Sequence, residues 1–227
     1  MVISELRVTA GPTHSVFDLL AGLMAGRATT AEAGDVEPGP AALLGFAGGG
    51  MLAPLAAMGF QQEVAACDLD ARAYGIFRRQ CPQWVTQVRW ERADALAWLR
   101  RQRRRFALIV DDLSRPLGGD VTKPDICWRG GGLVEAIRDR LQPDGWAVLN
   151  LLPPLPTRPW RADVRQLAAL FPATRIIALD DFENRILIGG RALPSAREMG
   201  RRLRRCLDGI RSRQARRFSV ADGGAHA

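Results

Sequence analysis

Residues 41–51, AALLGFAGGGM, pass from an apolar run through a glycine cluster to a second apolar run, as in a strand, a tight turn and a helix. Four apolar residues, Ala41 to Leu44, suit a short buried strand and are too few for a helix. The run from Gly45 to Gly50 then turns the chain tightly, and residues 51–58 resume with the apolar density of a helix. Glycines after a strand allow backbone angles closed to other residues and let a ligand approach the main chain. The helix that follows presents unpaired N–H groups at its start.

The same alternation repeats on the C-terminal side. A strand over 63–67 ends in Asp68, Leu69 and Asp70 before a helix over 71–80, and a third strand, over 86–91, leads to Asp94 and a helix ending in the arginines of 100–105. The fourth strand, 106–110, is continuously apolar, as a strand buried on both faces should be, and it ends in Asp111 and Asp112. A loop of about 18 residues, 113–130, follows; it contains Pro116, Gly118, Gly119, Pro124 and Trp128, and such length inside a compact domain points to function or disorder. A helix over 132–141, a strand over 146–151 and a helix over 161–171 come next. The runs 174–179 and 185–188 are separated only by residues 180–184, which forces an antiparallel pair. The expected fold is α/β: five parallel strands and a C-terminal antiparallel hairpin in a Rossmann-like sheet, with helices on both faces.

At 227 residues the chain is long enough for one domain with a sizeable core and short for two. Residues 1–40, with a helix over 15–25 and a polar linker over 29–40, read as a cap or lid. The α/β domain spans 41–193, a basic helix spans 194–217, and 218–227 is expected to be a disordered tail. No apolar run approaches the roughly 20 residues that cross a bilayer, and residues 1–10 have no signal-type stretch, so a cytoplasmic protein without a membrane partner is expected. Cys67, Cys81, Cys127 and Cys206 lack CxxC or metal-ligand spacing, which implies free, mostly buried thiols and no metal site.

The net charge of +8 rests on arginines, with Lys123 the only lysine, and the densest runs are 100–105 and 201–217. Aromatic residues do not interleave with them, so a solvated basic face is favoured over a nucleic-acid site. Three successive strand ends, by contrast, present glycine or carboxylate on one edge of the sheet. Asp68, about 20 residues beyond the turn, is placed to accept hydrogen bonds from ribose hydroxyls, and Asp94 to accept one from an adenine amino group. Each acid alone also reads as a helix N-cap. Their succession along one carboxyl edge fits a ligand crevice better.

The runs GFAGGG (45–50), CDLD (67–70), RADALAWL (92–99), FALIVDDLS (106–114), LVEAIRDRLQPDGWAVLNLL (133–152) and ENRILIGG (183–190) together resemble the spermidine synthase family (polyamine aminopropyltransferases) and its class I S-adenosylmethionine-dependent methyltransferase-like relatives. The resemblance covers residues 41–207. It implies a nucleoside-binding turn at Gly45, Ala47 and Gly49, with Asp68 on the ribose, Asp94 and Ala95 at the adenine, and Asp111 facing the tail of the donor. The donor implied is S-adenosylmethionine or its decarboxylated form, the acceptor a small molecule, and the catalytic candidates Asp111 and Asp112; a homodimer is one open assembly.

The departures from the family pattern bear on which group moves. Ala47 replaces a glycine of the motif and Gly48 an aspartate, and Ser114 stands where the aminopropyltransferases carry the aspartate that deprotonates the amine. Serine is a poor base without an activating partner. Arg115 beside it works against a polycationic acceptor. Neither an Asn-Pro-Pro-Tyr run nor a Pro-Cys pair follows the fourth strand, and with only His14 and His226 a histidine base is not expected. Methyl transfer to a small molecule, which needs little beyond alignment, is therefore expected ahead of aminopropyl transfer, with a non-catalytic nucleoside-binding protein as the reading from a different class.

Overall fold

The computed structural model describes residues 6–32, 39–117, 120–128, 130–152 and 160–223. Helix α1 (Val16–Glu32) is anchored at its start by Asp18, which is fully buried. The Asp18 carboxylate accepts from the Thr13 amide and hydroxyl, both at 2.7 Å, from the His14 amide at 2.9 Å, and from the Ser212 hydroxyl. An acid there satisfies main-chain donors ahead of the helix and complements the positive end of its dipole.

The alternating pattern then unrolls as β1 (Ala41–Leu44), α2 (Leu52–Ala57), β2 (Val64–Asp68), α3 (Ala71–Gln80), β3 (Val88–Arg92), α4 (Ala95–Arg101) and β4 (Phe106–Asp111). A small hairpin, β5 (Arg115–Leu117) and β6 (Asp120–Thr122), precedes α5 (Leu133–Asp139), β7 (Leu141–Leu151), α6 (Trp160–Ala168), β8 (Ala173–Leu179), β9 (Arg185–Gly190), α7 (Ala196–Gly209) and β10 (Phe218–Asp222).

Eight described strands form one sheet in the order β10-β8-β9-β7-β4-β1-β2-β3. From β3 to β7 the pairs are parallel, and β9 then enters antiparallel between β7 and β8. Side chains alternate across the sheet with the period of two that a pleated strand imposes. Ala41 and Leu43 of β1 join the core layer of α1, α2, α3 and α7, whereas Ala42 and Leu44 join that of α4, α5 and α6. Because β1 pairs with β2 on one side and β4 on the other, the order reverses beside β1, and the crevice of such a sheet opens there at the carboxyl ends.

Several expectations change. The segment read as a cap lies on the sheet face instead: Leu19, Leu20, Leu23 and Met24 of α1 are buried in the main core. The helix also runs on to Glu32, into what the sequence suggested was linker; residues 33–38 of that stretch lie outside the described residues. The tail expected to be disordered is strand β10, paired antiparallel with β8 from Phe218↔Leu179 to Asp222↔Arg175; Phe218 is buried, and an apolar residue at a strand start supplies the free energy that a solvated tail lacks. Residues 224–227 lie outside the description. The long loop after β4 is held by its own hairpin, although Gly118 and Gly119 at its tip are not described. All four cysteines are free.

Candidate functional site

The turn after β1 is built for close packing on the end of β4. Gly45 has φ +86°, and a Cβ there would sit 2.8 Å from the Asp112 carbonyl oxygen, so only glycine fits. Gly49 is left-handed too, at φ +76°, with the Phe46 ring where a Cβ would project. Ala47 adopts φ +44°, a conformation that costs a residue with a Cβ about 1–2 kcal/mol. Its amide donates to Asp68 Oδ2 at 2.7 Å, and a hydrogen bond to a charged acceptor, about 1.5–3 kcal/mol, is enough to offset that strain. Asp68 therefore joins the turn to the end of β2, a role additional to the one the sequence suggested.

The other Asp68 oxygen, Oδ1, accepts from the Asp70 amide at 2.9 Å. Both oxygens retain lone pairs, since an ionised carboxylate accepts about four hydrogen bonds. Between Asp68 and Asp70 stands Leu69, a 65% exposed apolar side chain just beyond the end of β2. Sequence reasoning passed over it, although a leucine between two acids beyond a strand end was the available signal. Asp94 caps α4 by accepting from the Ala97 amide at 2.9 Å, which is the ordinary N-cap role, and Ala95 beside it is buried. Behind the turn, Tyr74 stacks on Trp90 at 4.3 Å between ring centroids, and Phe46 meets Tyr74 and Phe77 edge-on.

The end of β4 separates its two acids. Asp111 is fully buried, with its Oδ1 at 2.9 Å from Lys123 Nζ, itself fully buried. It lies under the loop that follows β4, against the lysine that balances its charge. Burial alone would push the Lys123 pKa down, but Asp111, Cys127 and Asp112 together more than reverse this and hold it above the usual value. Cys127 lies against the pair, its thiol pushed far up by burial and by the Asp111 charge.

Asp112, one residue beyond the strand, is partly exposed where Asp111 is fully buried. Its amide donates to the Leu44 carbonyl at 2.8 Å, fixing the backbone beside the turn. Its Oδ1 accepts from Asn150 Nδ2 at 2.7 Å, and Asn150 Oδ1 accepts from Asn184 Nδ2 at 2.9 Å. Burial raises the Asp112 pKa to about 6, against the opposing pull of Asn150 and Lys123. Ser114, in the place of the family's base, is exposed, and Arg115 pairs with Asp125 at 3.8 Å. Sequence reasoning missed Lys123, Asn150 and Asn184; the signal for Lys123 was its standing as the single lysine of the chain.

No protein-family model matches the chain, and no curated protein matches it. Solved structures do. Human methyltransferase-like protein 13 in complex with SAH superposes with a TM-score of 0.64 at 18% identity, covering 84% of this chain and 90% of that one. A probable spermidine synthase from Corynebacterium glutamicum gives 0.65 at 18%, covering 91% and 75%. Spermidine synthase from Thermotoga maritima gives 0.59 at 14%, with 80% of this chain spanning 60% of that one. The fold is the one shared by class I methyltransferases and spermidine synthases. At these identities the likeness is one of fold, and the argument for chemistry rests on the site residues.

Proposed function

We propose that the protein is an S-adenosylmethionine-dependent transferase that moves a methyl group to a small-molecule nucleophile. The observation that carries this reading is the joint arrangement, at the switch point of the sheet, of a glycine turn clamped to Asp68, an exposed Leu69 and an inward-facing Asp112. The donor set fits an adenosyl group: Asp68 has acceptor capacity for ribose hydroxyls, Leu69 offers an apolar face to a base, and Asp94 stands at the next strand end. When bound, the donor supplies an electrophilic carbon on a sulfonium. Asp112 takes the proton of the acceptor at Oδ2, the oxygen without a hydrogen bond among the described residues, while Oδ1 stays anchored on Asn150. A base of pKa about 6 is ionised at neutral pH yet basic enough to remove a proton as the new bond forms.

Aminopropyl transfer is the second reading. It is favoured by Asp112 itself, which supplies the placed base that Ser114 cannot. Arg115 weighs the other way, as a cation near the end of β4 able to pair with the carboxylate that only the ordinary donor carries.

Calorimetric titration with S-adenosylmethionine, S-adenosylhomocysteine, decarboxylated S-adenosylmethionine and methylthioadenosine tests both. The expected result is binding of the carboxylate-bearing pair at least about tenfold tighter, or about 1.4 kcal/mol, with most of the affinity lost in Asp68→Ala. A tenfold preference for the other pair would replace methyl by aminopropyl transfer, and no binding of any of the four would end the donor-site reading.

A further inference from the structure

Asp112 is the terminus of a side-chain chain that crosses three strands. Asn184, just ahead of β9, donates to Asn150 near the end of β7, and Asn150 donates to Asp112 beyond β4. Asn150 is 4% exposed on an otherwise apolar strand segment, where a polar side chain is costly unless both its donor and its acceptor are used. Here the acceptor is used by Asn184 and one donor by Asp112. The amide has only one orientation compatible with these neighbours, because flipping it would set its carbonyl oxygen against the Asp112 carboxylate and its NH2 against the Asn184 NH2. The neighbouring segment is itself held: the Asp181 carboxylate accepts from Gln214 and Arg217, and the Asp180 amide donates to the Arg217 carbonyl at 3.0 Å.

We infer that Asn150 and Asn184 are positioning residues for the acceptor-side base: Asn184 fixes the amide of Asn150, and Asn150 then fixes Asp112 so that one carboxylate oxygen is anchored and the other is turned to the acceptor. Neither touches the donor or the reacting atoms in this arrangement; both act through Asp112. The inference rests on the proposed role of Asp112, but the hydrogen-bonded chain can be tested without any acceptor. The charged groups facing Asp112 are Lys123, Asp111 and Asp68, and the Asn150 donor adds to Lys123 in favouring the ionised form, while Asp111 and Asp68 oppose it. Loss of a donor that favours the charged form raises the titration midpoint.

The test is the carboxyl carbon shift of Asp112 followed by NMR against pH in the full chain labelled at aspartate, with the resonance assigned by its loss in Asp112→Asn. Asn150→Leu, close in volume but without donor or acceptor, is expected to raise the Asp112 midpoint by about one pH unit or more, the consequence of losing a charge-assisted bond. Asn184→Ala, a change at a half-buried loop position, is expected to raise it by a smaller step, because the Asn150 amide is then free to turn. A midpoint unmoved in Asn184→Ala and, where Asn150→Leu folds, in that variant too overturns the inference. Transfer activity is not part of this readout, so a moved midpoint in a protein that fails to bind S-adenosylhomocysteine would support the chain while removing the donor-site reading.

Discussion

Burial at Asp112 favours the protonated carboxyl, and the residue is kept although the fold would be more comfortable without its charge. Its pKa rises from 3.8 to about 6, so the folded state holds this proton more tightly than the unfolded chain does. Stability contributed by such a group is fully present below the unfolded value and is lost as pH rises through about 6. Asp112→Asn removes the charge and preserves an acceptor for Asn150. The variant should match the wild type near pH 3.5 and become more stable above pH 6, reaching on the order of 2–3 kcal/mol by pH 8, while losing transfer activity. Urea denaturation at a series of pH values checks this; a stability difference that does not grow between pH 4 and pH 8 would contradict it. Lys123 poses the opposite problem. A fully enclosed space beside Asp111 suits a compact ammonium, whereas the five donors of a guanidinium could not all be met there. In a chain whose 32 basic residues are otherwise arginines, that difference explains the one lysine.

Among the elements, the segment between β4 and α5 shows how such a pair acts. Lys123 follows β6 and reaches back to Asp111 at the end of β4, so the hairpin is fastened to the strand that Asp112 follows. Removing one partner leaves the other buried and uncompensated, which costs about 3–5 kcal/mol. Lys123→Met is therefore expected to destabilise by that amount in denaturant titration, and Asp111→Leu with Lys123→Met to recover part of it. A cost below about 1 kcal/mol for Lys123→Met would show that the ion pair does not hold the segment. The same contrast marks how far the sequence could be read. Strand β1, its turn and the carboxylates at 68 and 94 were legible because each depends on residues adjacent in sequence: an apolar run, a glycine cluster, an acid before a helix. The side of the strand to which Asp111 turns, and the chain from Asn184 to Asp112, were not, because they depend on contacts across strands that local patterning does not encode. A motif gives positions along the strand end, but not the lysine that pairs with Asp111.

Across the molecule, the segment ahead of α1 is tied to the one after α7, and the last described strand is built into the sheet. Asp18 near the N-terminus binds Ser212, Gln214 donates to the His14 carbonyl at 2.9 Å, and β10 completes one edge of the sheet beside β8. The sequence hid this because the strand is short, Phe218 and Val220 are its only large apolar residues, and it follows residues 196–217, which hold nine arginines against two acids and so look like a solvated terminus. Truncating residues 218–227 removes the buried Phe218, the five register pairs to β8 and the Asp222 carboxylate, which lies 3.1 Å from Arg175. It also takes the aromatic face from under Arg204, 5.1 Å above the Phe218 ring, and leaves the edge of β8 open to pairing with other chains. Loss of a buried phenylalanine side chain alone costs about 3–5 kcal/mol, a large share of the 5–15 kcal/mol that holds a typical domain folded. The truncated protein should melt much lower than the full chain, or without a cooperative transition, and should aggregate. Thermal unfolding followed by circular dichroism, with light scattering for aggregation, checks this; a truncation of 218–227 that melts with the full chain would show that β10 contributes nothing to the fold.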